Sequence, residues 1–505
     1  MSLGGKELFS VITGSDQEAA RSHTEPRPLS PARGPGAKKP QEPKTEEDPF
    51  DFSKTAEKVS EAIPRRYDDE DSLSPTIYVV PRDLAEGRKD AYEPAVVCIG
   101  PLFHQTERNK KPYRKLERYK WCCVRRLIVN AETGPGRRGA WIPDVHTPLL
   151  RKCLDTMRDL EPRIRDLYDS MDDMGGGEKL ALMMLLDGCF LLHRLLKLAR
   201  RSTDDDDDDD WTQVFGRCGV WGLVTRDLLL LKNQIPFVVL RALFKHLKSR
   251  AGERDDVLIE GGLRLFASLR PGPTGSSSSI TCRDVHHLLH LLYLSIDISP
   301  APKPGPQDEL QWWVPCATEL VEAGVSFRAK QQQGTATLSF LDVSFRGGFR
   351  RGVLEIPPLE LYDYSEPLFR NLIAFEQTYP HTPGHVTAYA IFMDCLIKTQ
   401  EDMRLLHQSG VLVSHMNGDM DVATRFFSRV CAQAHISSGQ SYLAGVMGAV
   451  VRYQSRHWPR WRTALVRNYF SNPWVTTAFL VGSVILVATL LQTFFAVYGY
   501  FKPPA

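Results

Sequence analysis

The run Val475 to Val497, "VTTAFLVGSVILVATLLQTFFAV", places 23 consecutive residues without a single charge. A helix rises about 1.5 Å per residue, so this length matches a hydrocarbon layer roughly 30 Å thick. Trp474 and Tyr498 bracket the run, where amphipathic aromatic rings favour a headgroup layer. Upstream, "VRYQSRHWPRWRTALVRNYF" carries Arg452, Arg456, Arg460, Arg462 and Arg467; downstream, Lys502 is the one cation. The positive-inside bias therefore predicts a single-pass, tail-anchored protein whose body is cytosolic, at the plasma membrane or an endomembrane. On this reading 452–473 is a basic juxtamembrane segment, 474–498 the transmembrane helix and 499–505 a short tail. The alternative is a buried core helix, which is uncommon at this length without any polar face. The five arginines either grip anionic lipid, at about 1 kcal/mol each near the surface, or merely set topology.

The rest of the chain has the composition of a soluble globular protein. Of the whole chain's 505 residues 42% are hydrophobic and 25% charged, enough for a sizeable core. A net charge of +2 gives no electrostatic reason to expect nucleic acid as a partner. The ten cysteines include no C-x-x-C pair, and several lie in apolar runs such as "LLDGCFLL" and "FMDCLI". That is the distribution of reduced, buried thiols. None of the asparagines (Asn109, Asn130, Asn233, Asn371, Asn417, Asn468, Asn472) has Ser or Thr two positions on, so no N-glycosylation acceptor is present. The N-terminal residues have neither a signal-peptide apolar core nor Gly at position 2 for myristoylation.

Residues 1–73 are rich in Pro, Gly, Glu, Lys and Ser, which predicts a disordered segment. A mainly helical domain over 74–451 should follow. It begins with two β-rich runs, "TIYVVPRDL" and "AVVCIGPLF". Helical spacing of apolar residues marks "YRKLERYKWCCVRRLIV" and "LLRKCLDTMRDLEPRIRDLYDSM", and "EKLALMMLLDGCFLLHRLLKLAR" reads as a central core helix. "RDLLLLKNQIPFVVLRALFKHLKSR" predicts two helices broken at Asn233–Gln234. The loop 202–211 contains seven aspartates, Asp204 to Asp210, which should repel one another and stay extended. "DVHHLLHLLYL" reads as helical and "CATELVEAGVSF" as a helix stopped by Gly324. Alternating runs around Gly347–Gly348 predict a small β-meander. Four helical segments complete the domain, one of them carrying Thr399 and Asp402 at capping-box spacing.

The segments "YEPAVVCIGPLFH", "LLDGCFLLHRLL", "DLLLLKNQIPFVVL", "CATELVEAGVSF", "LEIPPLEL", "FRNLIAFEQ" and "FMDCLIKTQEDMRLLHQSGVL", followed by "YFSNPWVTTAFL", stand in an order that resembles one plant family, domain of unknown function 247. The likeness covers roughly residues 75 to 500. It implies a flowering-plant source, a mostly helical fold and a C-terminal membrane anchor. Some family members have been linked to self-incompatibility recognition. The family carries no established catalytic residues, so the resemblance assigns none here. The aspartate run and the long Pro-rich N-terminus depart from the family pattern.

Few residues suggest chemistry. "GPGRRG" at 134–139 fits G-x-G-x-x-G, but it follows a predicted helix where a dinucleotide loop must follow a strand. His286 and His290, four apart, would share a helix face and offer two imidazoles to a metal, with His287 adjacent. The bland reading is packed core histidines. Asp187 and Asp394 are acids in apolar helices; they would form an acid–base pair if their helices met, or else fix helix packing. Arg370, Asn371, Glu376 and Gln377 in "FRNLIAFEQ" suggest an internal polar network. The expectation is a membrane-anchored recognition or signalling module with a protein partner, no cofactor and no nucleic acid, with homo-oligomerisation left open through Ala478 and Gly482. The rival is a membrane-tethered hydrolase built on Asp187 and Asp394 or on a His286/His290 metal site.

Overall fold

A helix that is apolar nearly all round needs neighbours on every side, and the segment containing Asp187 obtains them. The computed structural model describes residues 75–103, 111–134, 140–170, 176–200, 220–248, 252–296, 313–331, 339–456, 459, 461–462 and 473–501, apart from isolated positions and short gaps within these spans. The expected disordered segment 1–73, the aspartate run 204–210, all but Gly134 of the glycine loop 134–139, Arg460 and Arg467 lie outside the described residues. All that follows concerns one unit, residues 73–505.

The first half of the body is built round α3 (Gly177–Ala199), flanked by α1 (Lys111–Thr133), α2 (Pro143–Asp159), α5 (Phe237–Leu247) and α6 (Asp256–Leu265). The short helix α4 (Val220–Asp227) precedes α5. Leu180, Met184, Leu185, Phe190, Leu192 and Leu195 of α3 are fully enclosed. Each such side chain contributes about 1.5–3 kcal/mol on leaving water.

The second half joins α7 (Leu288–Leu294) and α8 (Ala317–Glu322) to a sheet of β1 (Val325–Ala329), β2 (Ser344–Gly347) and β3 (Gly352–Ile356). It ends with β4 (Leu359–Leu361), α9 (Ser365–Thr378), α10 (His385–Leu396), α11 (Gln400–Gln408), β5 (Leu412–Ser414) and α12 (Ala444–Gln454). Its core is aromatic: Phe340, Phe369, Tyr389, Phe426 and Phe427 meet edge to face at centroid distances of 5.0–6.3 Å, the arrangement ring quadrupoles favour. Thr399 and Asp402 form the expected capping box at the start of α11.

The mainly helical fold with a small sheet is as the sequence predicts, but the sheet is mixed. β2 and β3 form an antiparallel hairpin, whereas β1 lies parallel to β3 on its far edge. β4 and β5 make a separate parallel pair. The two β-rich runs near residue 75 form no sheet: Ile77 makes one isolated bridge to Tyr168, Arg82–Ala85 is a helical turn, and 95–100 is irregular, bent at 95–96 and at Gly100, and pairs with no strand. The helix predicted through Leu228–Lys232 stops at Asp227, and the leucines continue as a buried loop. Finally, α13 (Pro473–Phe501) is a single helix containing the apolar run.

Candidate functional site

A chain segment that enters the core without a strand beside it must find other partners for its amides. Residues 95–100 find them in side chains. The Asp227 carboxylate accepts from the amides of Ala95, Val96 and Val97 at 2.6–3.0 Å. Asn233 accepts from the Ile99 amide at 2.7 Å and donates to the carbonyls of Val97 (2.8 Å) and Asp227 (2.9 Å). Asp187 accepts from the Gly100 amide at 2.9 Å. A strand ladder has been replaced by one carboxylate from α4, one from α3 and one amide from the loop after α4.

Lys120 of α1 closes this network. Its ammonium lies 2.6 Å from Asp187 Oδ1 and donates to Cys98 O (2.9 Å) and Glu117 Oε1 (2.8 Å), using all three protons. Both Lys120 and Asp187 are fully enclosed. Burial pushes the Asp227 carboxyl above the ordinary carboxylate range, against the pull of its three amide donors and Arg226. Gln234 continues the network, donating to Leu228 O and Leu230 O and accepting from the Leu289 amide. Gly100 sits at φ +69°, where a Cβ would lie 2.4 Å from Gln234 O. Gly100→Ala should therefore cost about 2–3 kcal/mol, from the left-handed backbone and the backbone clash together. A urea titration checks this, and an unchanged midpoint would mean the loop yields freely.

Asp187 and Asp394 do not form a pair. Asp394 is half-exposed on α10 and bonds to Lys398 one turn on, at 2.9 Å. Each carboxylate thus has its own lysine, and each belongs to a different packing group of helices.

The histidines also depart from the predicted geometry. α7 begins only at Leu288, so His286 precedes the helix and His287 is its N-cap, accepting from the His290 amide at 3.2 Å. The rings of His286 and His290 stack face to face, with centroids 4.7 Å apart and 12° between planes. Stacked imidazoles direct their nitrogens sideways, not toward one shared point. His286 Nε2 lies 2.9 Å from the Tyr379 hydroxyl and His287 Nε2 lies 3.1 Å from Thr76 O. Among the described residues no group of three His, Cys, Asp or Glu side chains is gathered to hold a metal ion.

"FRNLIAFEQ" in α9 is largely an internal network. Asn371 accepts from the Leu231 amide and donates to Ala91 O and Pro367 O, all at 2.8–2.9 Å. Glu376 accepts from the amides of Val386 (2.8 Å) and Thr387 (2.7 Å) and so caps α10 from a neighbouring helix. Arg370 bonds to Glu366 (3.1 Å) and to Arg429 O (2.8 Å). Gln377 exchanges two bonds with His435 at the surface. The described cysteines are all free thiols, and burial raises Cys123 to about 12 and Cys153 to about 11. Of the arginines between α12 and α13, together with Arg452 of α12, Arg452 and Arg456 are exposed, whereas Arg462 donates to Val321 O (2.8 Å) and Glu322 O (3.1 Å) at the end of α8.

Lys120 and Asp227 were not singled out by sequence, although Lys120 carried a signal. It stands at helical spacing in the stripe Leu116, Lys120, Val124, Leu127, where a lysine has no reason to be unless a buried acid meets it.

Together these contacts define a helical structural domain whose buried acids and amides tie irregular loops to the core. The chain belongs to the plant family described as plant protein of unknown function, DUF247, whose profile matches residues 77–488. It is similar to UPF0481 protein At3g47200 of Arabidopsis thaliana, 24% identical over 448 residues and covering 84% of this chain and 86% of that protein. It is also similar to Putative UPF0481 protein At3g02645 of Arabidopsis thaliana, 22% identical over 559 residues, covering 92% of this chain and 98% of that one. No solved structure matches.

Proposed function

We propose that the chain is a single-pass, membrane-anchored module whose cytosolic body recognises a protein partner without catalysing a reaction. The observation that carries the anchor is the 23-residue stretch Thr476–Tyr498 of α13, with mean hydropathy 2.2 and none of it buried against the body. A core helix of this composition would be enclosed; an exposed one needs lipid. The arginines before it and Lys502 after it support a cytosolic body. Recognition is favoured over the hydrolase alternative because the acids and histidines available for chemistry hold backbone groups, lysines or one another. Alkaline extraction of native plant membranes tests the anchor: the full chain should stay in the pellet, and a chain stopped before Trp474 should move to the supernatant. Release of both forms would refute it. Cross-linking and affinity purification from the same membranes should yield a stoichiometric protein partner. Recovery of none from either form would remove the recognition reading.

A further inference from the structure

The hairpin joining β2 to β3 is built to reach outward. Its tip reads "RGGFRRG" over 346–352, and Phe349 is 81% exposed, more than any other large hydrophobic residue described outside α13. Arg346 and Arg351 flank it and are exposed. On the outer sheet face Arg328 and Arg346 share one acid, Glu355, so positive charge remains in excess around an unburied aromatic ring.

The hairpin is also held against the chain segment that leads to α13. Tyr453 of α12 is buried against it: a Cβ at Gly352 would come within 3.2 Å of the Tyr453 ring and one at Gly347 within 3.3 Å, tighter than ordinary contact, so glycine eases the close approach. Phe345 meets the same ring edge to face at 5.7 Å. Arg456 lies over the Tyr453 ring and donates to Gly348 O at 3.5 Å. Arg462 is tied to the end of α8, which leaves ten residues between it and Pro473. Fully extended, that stretch spans at most roughly 40 Å, so the hairpin's neighbourhood cannot stray far from any bilayer that holds α13.

From this geometry we infer that the β2–β3 hairpin is a second membrane contact: Phe349 inserts into the headgroup layer of an anionic bilayer while Arg346, Arg351 and Arg456 meet lipid phosphates. An aromatic at the interface beside arginines is the combination such a layer favours. The inference rests on the anchor reading, since it is the anchor that brings the hairpin to the surface.

Photo-cross-linking of the full chain in liposomes tests it. Photoreactive benzoyl-phenylalanine is placed at Phe349 in one sample and at Leu486 of α13 in another. Liposomes are phosphatidylcholine alone, or with about one third phosphatidylserine. The Phe349 position should give lipid adducts in anionic liposomes, at least about fivefold fewer in neutral ones and correspondingly fewer after Arg351→Gln. Both positions face outward, so folding is not at stake. Adducts at Leu486 but none at Phe349 would overturn the inference and leave the anchor standing. Adducts at Phe349 but none at Leu486 would keep the hairpin contact and remove the anchor. None at either would remove both. An adduct at Phe349 with protein alone would make the hairpin a docking site for another chain and refute lipid contact.

Discussion

Lys120→Met should destabilise the folded body by about 3–5 kcal/mol, the cost of leaving a buried carboxylate without its counter-ion. Methionine fills much of the same volume, so the loss is electrostatic: Asp187 keeps the Gly100 amide but loses the ammonium at 2.6 Å, and Cys98 O loses its donor. Asp187→Leu should cost a similar amount, because it strands the lysine. Combining Lys120→Met with Asp187→Leu should be milder than the sum of the two by about 2 kcal/mol or more, since neither charge is then left alone. It should not return to wild type, because the Gly100 amide and Cys98 carbonyl stay unpaired. Urea titrations of the four proteins settle this. Strict additivity of the single changes would mean that the pair is not what joins α1, α3 and the 95–100 segment.

That junction also marks the limit of what the sequence discloses. Helix positions are legible because the spacing and density of apolar residues are properties of a single segment: "EKLALMMLLDGCFLLHRLLKLAR" announces α3 by its own composition. The apolar run in α13 was legible for the same reason. "AVVCIG" reads as a strand because β-rich composition is also a one-segment property. What pairs with its amides is a two-segment property: the donors at 95–97 meet a carboxylate about 130 positions away, and no local pattern encodes that meeting. The same gap separated Asp187 and Asp394, each of which looked like half of a pair and proved to be bound to a lysine. His286 and His290 failed differently. Their spacing suits a metal site only if the helix already runs through His286, and the helix starts two residues later. The capping box of α11, local in sequence, was legible outright.

Those histidines set an acid limit on stability. His287 Nδ1 accepts the His290 amide, so its proton rests on Nε2 and points to Thr76 O; His290 Nδ1 likewise accepts the His286 amide at 3.2 Å. A second proton would have to sit on a nitrogen that is already an acceptor, breaking the start of α7. Burial, reinforced by the neighbouring imidazoles, holds His287 well below its ordinary value of 6.5 and His290 down to about 3, with Asp284 only partly offsetting. The unfolded chain takes up these protons near pH 6.5 while the folded chain refuses them, so the stabilisation is complete above 6.5 and is lost as pH falls toward 3. Each histidine adds about 1.4 kcal/mol of loss per pH unit in that window. Asp227 and Glu376 act in the opposite sense, because burial raises their carboxyls and lets the folded state hold protons more readily than the unfolded chain. The contribution of the histidines is therefore isolated by substitution. His287→Asn keeps a side-chain acceptor at the N-cap without a titrating group, and His290→Leu removes the second ring. Between about pH 7 and pH 5 the unaltered chain should lose roughly 2–4 kcal/mol in urea titrations, and the double variant should lose no more than about half as much. An equal loss in both would place the acid sensitivity elsewhere in the fold.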